Sequence, residues 1–141
     1  MAIQKGGSVF DLEEAELCYA PQFGAAKDPV NVAGMIAANV LRGDARIASW
    51  KDLPSTGAYL LDVREPAEFK LGAIDGAVNL PLGELRQRFE ELPRDREIWV
   101  NCGVGQRAYY AVRFLQQAGL DARNLSGGYQ TWQAWYPPTP V

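Results

Sequence analysis

The sequence contains no histidine among its 141 residues, and this absence excludes several common kinds of active site. A Ser–His–Asp triad, a Cys–His pair and a metal bound through imidazole all require a histidine side chain. Any nucleophile in this chain must therefore be activated by backbone dipoles and by cationic side chains.

Cysteine is scarce as well, and the two present, Cys18 and Cys102, lie far apart in the sequence. They do not form a disulfide framework, so we expect a reducing, cytoplasmic environment. No apolar run approaches the ~20 residues that a membrane span needs, and we expect neither a secretory leader nor a membrane partner. A net charge of -3 gives no reason to expect a nucleic-acid partner.

A charged fraction of 22% and a hydrophobic fraction of 48% are typical of a globular protein. The pattern divides the chain into residues 1–44, which look helical, and residues 45–141, which look like a separate domain. In the first part, Asp11 and Glu14 have the spacing of a capping box, so we predict that Asp11 caps a first helix. Asp28 is the predicted cap of a second helix.

The second predicted helix, residues 29–41, contains no charged residue. Its length of about 20 Å is too short to cross a bilayer. A helix that is apolar on nearly every face is usually buried on several sides. Two interpretations are open: a core helix of one compact domain, or a helix that packs on a partner absent from this chain. We favour the second.

Beyond residue 45, short apolar runs typical of buried strands alternate with helical segments. The predicted strands are 58–62, 77–79, 97–102 and 121–125. The predicted helices are 65–71, 83–92, 107–118 and 129–135. This alternation predicts an α/β fold whose mainly parallel sheet carries helices on both faces. Trp132 and Trp135, three residues apart on the last helix, are expected to pack in the core.

The stretch after the third predicted strand is the main candidate site, because ligands bind beyond the carboxyl ends of parallel strands. It reads Cys102, Gly103, Val104, Gly105, Gln106 and Arg107. The two glycines allow backbone N–H groups to turn inward, and a helix begins next. These donors stabilise a thiolate, and Arg107 adds positive charge at the rim.

Three interpretations of this loop remain. Cys102 could be a buried structural residue, although a Gly-flanked cysteine that opens a helix argues against it. The glycines also partly match a dinucleotide-binding fingerprint, but that motif expects an acidic residue at the end of the next strand, where Arg123, Asn124 and Leu125 stand. We therefore favour a reactive thiolate at Cys102.

Residues 45–141 also resemble a rhodanese domain. Four motifs carry the resemblance, at residues 61–69 (LDVREPAEF), 72–81 (GAIDGAVNLP), 102–107 (CGVGQR) and 125–132 (LSGGYQTW). The resemblance implies a three-layer α/β fold with a mainly parallel five-stranded sheet, here with an N-terminal helical extension.

The same resemblance implies sulfurtransferase activity. Cys102 would accept a sulfane sulfur as a persulfide and pass it to a thiol, or to cyanide in an assay. The amides of residues 103–107 would bind the transferred sulfur, and Arg107 would bind the anionic part of the donor. Asp62 and Arg64 match the strand-end motif of that family, and we interpret them as structural supports: Asp62 would hydrogen-bond the neighbouring loop, and Arg64 would pair with a carboxylate such as Glu68.

Other activities remain as alternatives. The module could be a non-catalytic persulfide carrier or an interaction module. Related phosphatases and arsenate reductases are less favoured, because their loops are one residue longer than the six residues 102–107. The loop also carries Gly103 and Ala108 where many sulfurtransferases have Arg and Ser or Thr. This lower positive charge suits a small persulfide or polysulfide donor better than thiosulfate.

The first 44 residues resemble the end of the dimerisation domain in FAD-dependent disulfide reductases of the coenzyme A-disulfide reductase type. The matching segments are 10–14, 19–23 and 27–31. We therefore expect a C-terminal part of a larger reductase–rhodanese protein. FAD, NAD(P)H and coenzyme A would bind only in that parent, and this chain would hold no cofactor or metal. Residues 29–41 would dock on the missing reductase domain or form a homodimer, with Cys18 a small packed residue and Tyr19 near the partner's active site.

Overall fold

The computed structural model describes residues 3–17, 22–24, 27–55 and 57–136. The chain separates into two units, Met1–Asp44 and Ala45–Val141. The expectations for Cys18 and Tyr19 fall outside the described residues.

The first helix of the N-terminal unit, α1, spans Val9–Glu14 and follows a 3-10 turn at Ile3–Lys5. Its cap is Ser8, whose hydroxyl accepts a hydrogen bond from the Asp11 backbone N at 3.3 Å. The Asp11 carboxylate accepts one from the Ser8 backbone N at 2.6 Å in return. The prediction that Asp11 caps this helix is therefore wrong, because Ser8 and Asp11 complete a capping box three residues earlier.

The second helix, α2, spans Pro29–Leu41 and begins as predicted, with the Asp28 carboxylate accepting from the Val30 backbone N at 2.9 Å. It packs against α1, and Asn31 donates to the carbonyl of Ala15 at 2.8 Å. Its buried residues are few and small or polar: Asn31, Gly34 and Ala38. Its large apolar side chains are exposed: Val30, Val32, Met35, Ile36, Val40 and Leu41. The interpretation of α2 as the core helix of one compact domain is therefore wrong.

The C-terminal unit contains a sheet of five parallel strands in the order β1-β5-β4-β2-β3. The strands are β1 (Ile47–Ala48), β2 (Tyr59–Asp62), β3 (Val78–Asn79), β4 (Ile98–Asn101) and β5 (Ala122–Leu125). This confirms the predicted α/β class. The predicted strands included β3 but not β1, although each has only two residues.

Helices cover both faces of this sheet. They are α3 (Pro66–Lys70), α4 (Leu82–Arg88), α5 (Gln106–Gln117) and α6 (Gly128–Trp135), with 3-10 turns at Trp50–Ser55 and Phe89–Glu91. Because side chains alternate along a strand, β4 contributes to two clusters. Ile98 and Val100 pack with residues of α4 and α5, whereas Trp99 packs on the other face with residues of α6.

The two tryptophans of α6 differ in their surroundings. Trp132 packs against the cluster around Trp99, as predicted. Trp135 is 59% exposed, so the prediction that it packs in the core is wrong. It lies in the last turn of α6, at an open cavity that Trp50 also lines. Within the described part of the chain, no helix has the length and apolarity that a membrane span needs.

The parallel topology brings the carboxyl ends of the strands to one edge of the sheet. Asp62, at the end of β2, is in register with Asn101, at the end of β4, and with Asn79, at the end of β3. The segment after Asp62 and the loop after Asn101 therefore leave the sheet side by side. This register builds the site described next.

Candidate functional site

Cys102 directly follows β4 and is 1% exposed. Its Sγ accepts a hydrogen bond from the backbone N of Gly105 at 3.1 Å. Gly105 is the cap residue of α5 and has a φ of 101°, a conformation that favours glycine. The Gly105 carbonyl accepts a hydrogen bond from Nδ2 of Asn124 at 3.1 Å. A residue of β5 therefore fixes the position of Gly105, whose N–H binds the sulfur.

The loop is also held by the start of α6. The backbone N of Tyr129 donates to the carbonyl of Cys102 at 2.7 Å, and that of Gln130 donates to the carbonyl of Gly103 at 3.1 Å. In a trans peptide the N–H points away from the preceding carbonyl, so the N–H groups of Gly103 and Val104 point away from α6. The hydrogen bonds from α6 thereby orient these two N–H groups away from the start of α6.

Gly128 makes this close approach possible. It has a φ of +63°, and a Cβ atom there would lie 2.5 Å from the Cys102 carbonyl oxygen and 2.7 Å from the Gly103 carbonyl oxygen. A side chain at this position would therefore collide with the backbone of the candidate site. The Gly127-Gly128 pair is the sequence signal for this contact, although its role was not predicted.

Arg107, predicted to supply positive charge at the rim, is paired with a carboxylate. Its Nη1 and Nη2 donate to Oε2 and Oε1 of Glu68 at 2.6 and 2.7 Å. Hydrogen bonding to Glu68 raises the pKa of Arg107, and the nearby Cys102 sulfur adds to this shift. In turn, hydrogen bonding to Arg107 lowers the pKa of Glu68 to about 2.

Asp62 and Arg64 form a buried ion pair below the loop. Arg64 Nη2 donates to Asp62 Oδ2 at 2.7 Å, and Asn101 Nδ2 donates to the same oxygen at 3.0 Å. The Arg64 guanidinium also lies over the Tyr129 ring, 4.1 Å from its centre. Arg64 pairs with a carboxylate, as expected, but the named partner Glu68 is wrong. Arg64 binds Asp62 instead, because Asp62 ends β2 and Arg64 follows two residues later.

The structure thus brings the whole predicted loop to one place. Cys102 and Gly105 are buried, Arg107 is partly buried, and Val104 and Gln106 are exposed. Two contacts of the site were not predicted from the sequence: the pairing of Glu68 with Arg107 and the hydrogen bond from Asn124 to Gly105. Glu68 belongs to the motif at residues 61–69, but nothing in the sequence identifies Arg107 as its partner.

A family model described as "Rhodanese-like domain" matches residues 47–134. The chain belongs to the rhodanese-like family. A protein named "Sulfurtransferase" from Allochromatium vinosum is 39% identical over 88 residues, which are 62% of this chain and 78% of that protein. The resemblance to a rhodanese domain seen in the sequence is thereby confirmed.

Two solved structures match a longer part of this chain than its rhodanese-like domain alone. Reduced CoADR-RHD of Bacillus anthracis is 42% identical with a TM-score of 0.88, covering 96% of this chain and 25% of that one. An NAD-dependent persulfide reductase from A. fulgidus is 35% identical with a TM-score of 0.78, covering 93% and 24%. Both matches reach into residues 1–44, and this chain spans about a quarter of each of those proteins.

The close approach at Gly128 yields a first prediction. Gly128→Ala should lower the free energy of unfolding by about 2–4 kcal/mol, because it adds a backbone collision to the cost of a left-handed alanine. Gly119→Ala is the matched control: Gly119 also has a positive φ, +80°, but no atom lies within 4 Å of its Cβ position. It should cost about 1–2 kcal/mol.

Urea denaturation followed by tryptophan fluorescence measures this difference, because all four tryptophans lie in residues 45–141. Equal losses in the two variants would contradict the proposed contact between Gly128 and the loop.

The Glu68–Arg107 pair yields a second prediction, on pH. The pKa of Glu68 falls from 4.5 to about 2 in the folded chain. The charged carboxylate therefore stabilises the folded chain fully at pH values above 4.5, the pKa of Glu68 in the unfolded chain. This stabilisation declines as the pH falls toward about 2, its pKa in the folded chain. The difference in unfolding free energy between wild type and Glu68→Gln should be constant above about pH 5 and shrink below it.

Urea denaturation across this pH range measures the effect. A difference that stays constant into strong acid would show that the Glu68 carboxylate does not titrate through this ion pair.

Proposed function

We propose that this chain is a sulfurtransferase that carries a sulfane sulfur as a persulfide on Cys102. The observation that carries the proposal is the placement of Cys102: its sulfur is buried at the head of α5 and accepts the Gly105 N–H at 3.1 Å. A thiolate stabilised by amide donors needs no histidine to attack a sulfur–sulfur bond. Family membership and the sulfurtransferase relative support the same activity.

The proposed reaction has two balanced steps. The Cys102 thiolate attacks the outer sulfur of a donor persulfide R–S–SH, so that a Cys102–S–SH persulfide forms and R–S⁻ leaves. An acceptor thiolate then attacks the outer sulfur of the Cys102 persulfide, takes it as a new persulfide and releases the Cys102 thiolate. No net oxidation or reduction occurs on the protein.

The neighbouring residues have supporting roles in this proposal. The N–H groups of residues 103–107 face the site where negative charge on the sulfur must be stabilised, and the Gly105 N–H donates to the Cys102 sulfur itself. Arg107 lies next to the same sulfur and contributes positive charge, reduced by its pairing with Glu68. The buried Asp62–Arg64 pair supports the loop from below through Tyr129.

We further propose that the transferred sulfur serves persulfide or polysulfide reduction by a disulfide-reductase module. Support comes from the likeness to CoADR-RHD and to the NAD-dependent persulfide reductase over nearly all of this chain. FAD, NAD(P)H and coenzyme A would belong to that module rather than to this chain. A reducing, cytoplasmic compartment suits Cys102, which is a free thiol.

Mass spectrometry tests the persulfide on Cys102. Treatment with a low-molecular-weight persulfide should add about 32 Da to the wild-type chain, the mass of one sulfur, and nothing to Cys102→Ser. Cys18 remains in that variant and serves as an internal control for nonspecific sulfuration. Sulfur addition to Cys102→Ser at the wild-type level would contradict the proposal.

The same experiment separates a transferase from a carrier. With excess donor and a thiol acceptor, a transferase forms many equivalents of acceptor persulfide for each chain. A mass shift without repeated turnover would instead support the alternative of a non-catalytic persulfide carrier.

The exposed face of α2 supports a docking role, with the reductase module or a second copy of this chain as partner. Ile36 is 59% exposed and Leu41 67% exposed on this uncharged helix. We expect the isolated chain to self-associate through it, since several large exposed apolar side chains on one helix are typical of an interface.

Sedimentation velocity tests this expectation. Ile36→Glu should shift the chain toward the monomer, because it would bury an unpaired charge in the contact. Leu71→Glu is the control, as Leu71 is 92% exposed in the other unit. A monomeric wild-type mass together with well-protected amides across residues 29–41 would contradict the docking role.

A further inference from the structure

The candidate site contains one charged loop residue, and its charge is opposed by a fixed carboxylate. Among residues 102–107 only Arg107 is charged. Both terminal nitrogens of its guanidinium bind Glu68, at 2.6 and 2.7 Å. The other arginine near the loop, Arg64, is buried and paired with Asp62. An incoming donor therefore meets Arg107, whose charge is already balanced by Glu68.

Glu68 is held in place by more than Arg107. Its Oε2 also accepts a hydrogen bond from the backbone N of Glu65 at 3.1 Å, which caps the start of α3. Its lowered pKa keeps it ionised at every pH near neutrality. The carboxylate is thus a permanent negative charge beside the group that would bind an anionic donor.

The position of Arg107 makes this charge balance relevant to the sulfur. A Cβ atom on Gly103 would lie 3.6 Å from Nη2 of Arg107, so the guanidinium lies against the loop backbone. Arg107 also interacts with Cys102 itself. At the outer side of the loop, Val104 presents a 58% exposed isopropyl group rather than a charge.

Sulfur donors differ in the charge that they bring to a thiolate. Thiosulfate carries two negative charges, and its attack by Cys102 would leave a persulfide and release sulfite. An organic persulfide R–S–SH whose organic group is uncharged carries at most one negative charge, and it releases a single thiolate. A cation whose charge is balanced by a carboxylate stabilises a bound dianion less than a free one does.

We propose that Glu68 is a specificity-determining residue that disfavours dianionic donors such as thiosulfate relative to organic persulfides. It acts through Arg107, by balancing the charge that would otherwise attract the sulfonate group of thiosulfate. The inference rests on the proposed sulfurtransferase function and names the donor class of the same site.

The test measures the second-order rate constant for Cys102 persulfide formation from each of two donors, thiosulfate and 2-hydroxyethyl persulfide, whose organic group is uncharged, by rapid quenching and mass spectrometry. Glu68→Gln keeps the size of the side chain and an oxygen that can accept from Arg107, but removes the negative charge. The ratio of the thiosulfate rate constant to the persulfide rate constant should rise about two- to fivefold in this variant. The rise should diminish at high salt, where charges are screened.

Glu91→Gln is the matched control. Glu91 also accepts two hydrogen bonds from an arginine, Arg88, at 2.8 Å each. It lies near Tyr59 at the amino end of β2, whereas the candidate site is at the carboxyl ends of the strands. The control removes the same charge from the chain, and its donor ratio should equal that of the wild type.

A second measurement covers the case in which thiosulfate reacts slowly in every variant. Sulfate is an unreactive dianion, and its inhibition constant against loading by 2-hydroxyethyl persulfide should fall about two- to fivefold in Glu68→Gln. If both rate constants decline together and sulfate inhibition is unchanged, Glu68 only positions the loop and the inference is overturned. If the wild-type chain accepts sulfur from neither donor, the proposed function itself fails.

Discussion

Two backbone hydrogen bonds, from Tyr129 to Cys102 and from Gln130 to Gly103, set the course of the loop on which the candidate chemistry depends. They tie the carbonyls of the loop to the start of α6 and so leave the next N–H groups free to face elsewhere. Because Gly128 has no side chain, α6 can come this close. The sulfur of Cys102 is thus positioned by helix α6, although it belongs to the segment between β4 and α5.

The buried pair of Asp62 and Arg64 connects this contact to the sheet. Asp62 lies at the end of β2 and binds both Arg64 and Asn101, the residue before Cys102. Arg64 then supports the ring of Tyr129 from one side. Removing one partner of a buried ion pair leaves the other charge unpaired at a high energetic cost. The end of β2, the loop after β4 and the start of α6 together build the site. Each of these segments therefore depends on the other two rather than on any single contact.

The sequence predicted the parts of this fold that have strong local signals, namely the apolar runs of β2 and β4, the capping of α2 by Asp28 and the loop at Cys102. It missed β1, which is two residues long, and placed the cap of α1 at Asp11 because serine and aspartate cap helices equally well. The pairing of Arg107 with Glu68 could not be predicted, since it depends on the register that brings α3 beside the start of α5. Local patterns carry no information about which carboxylate an arginine meets across segments.

The absence of histidine and the balanced charge at the loop both suit a reaction in which no proton has to be moved. A site that must move a proton needs a group that titrates near neutral pH, and histidine is the usual one. Sulfur transfer between thiolates needs no such proton shuttle, so backbone N–H groups and one guanidinium are sufficient. Since backbone donors carry no net charge, the charge of the site is set by side chains around the loop. The charges of Glu68 and Arg107 cancel each other beside the loop, and under the proposed function this balance favours donors of low charge.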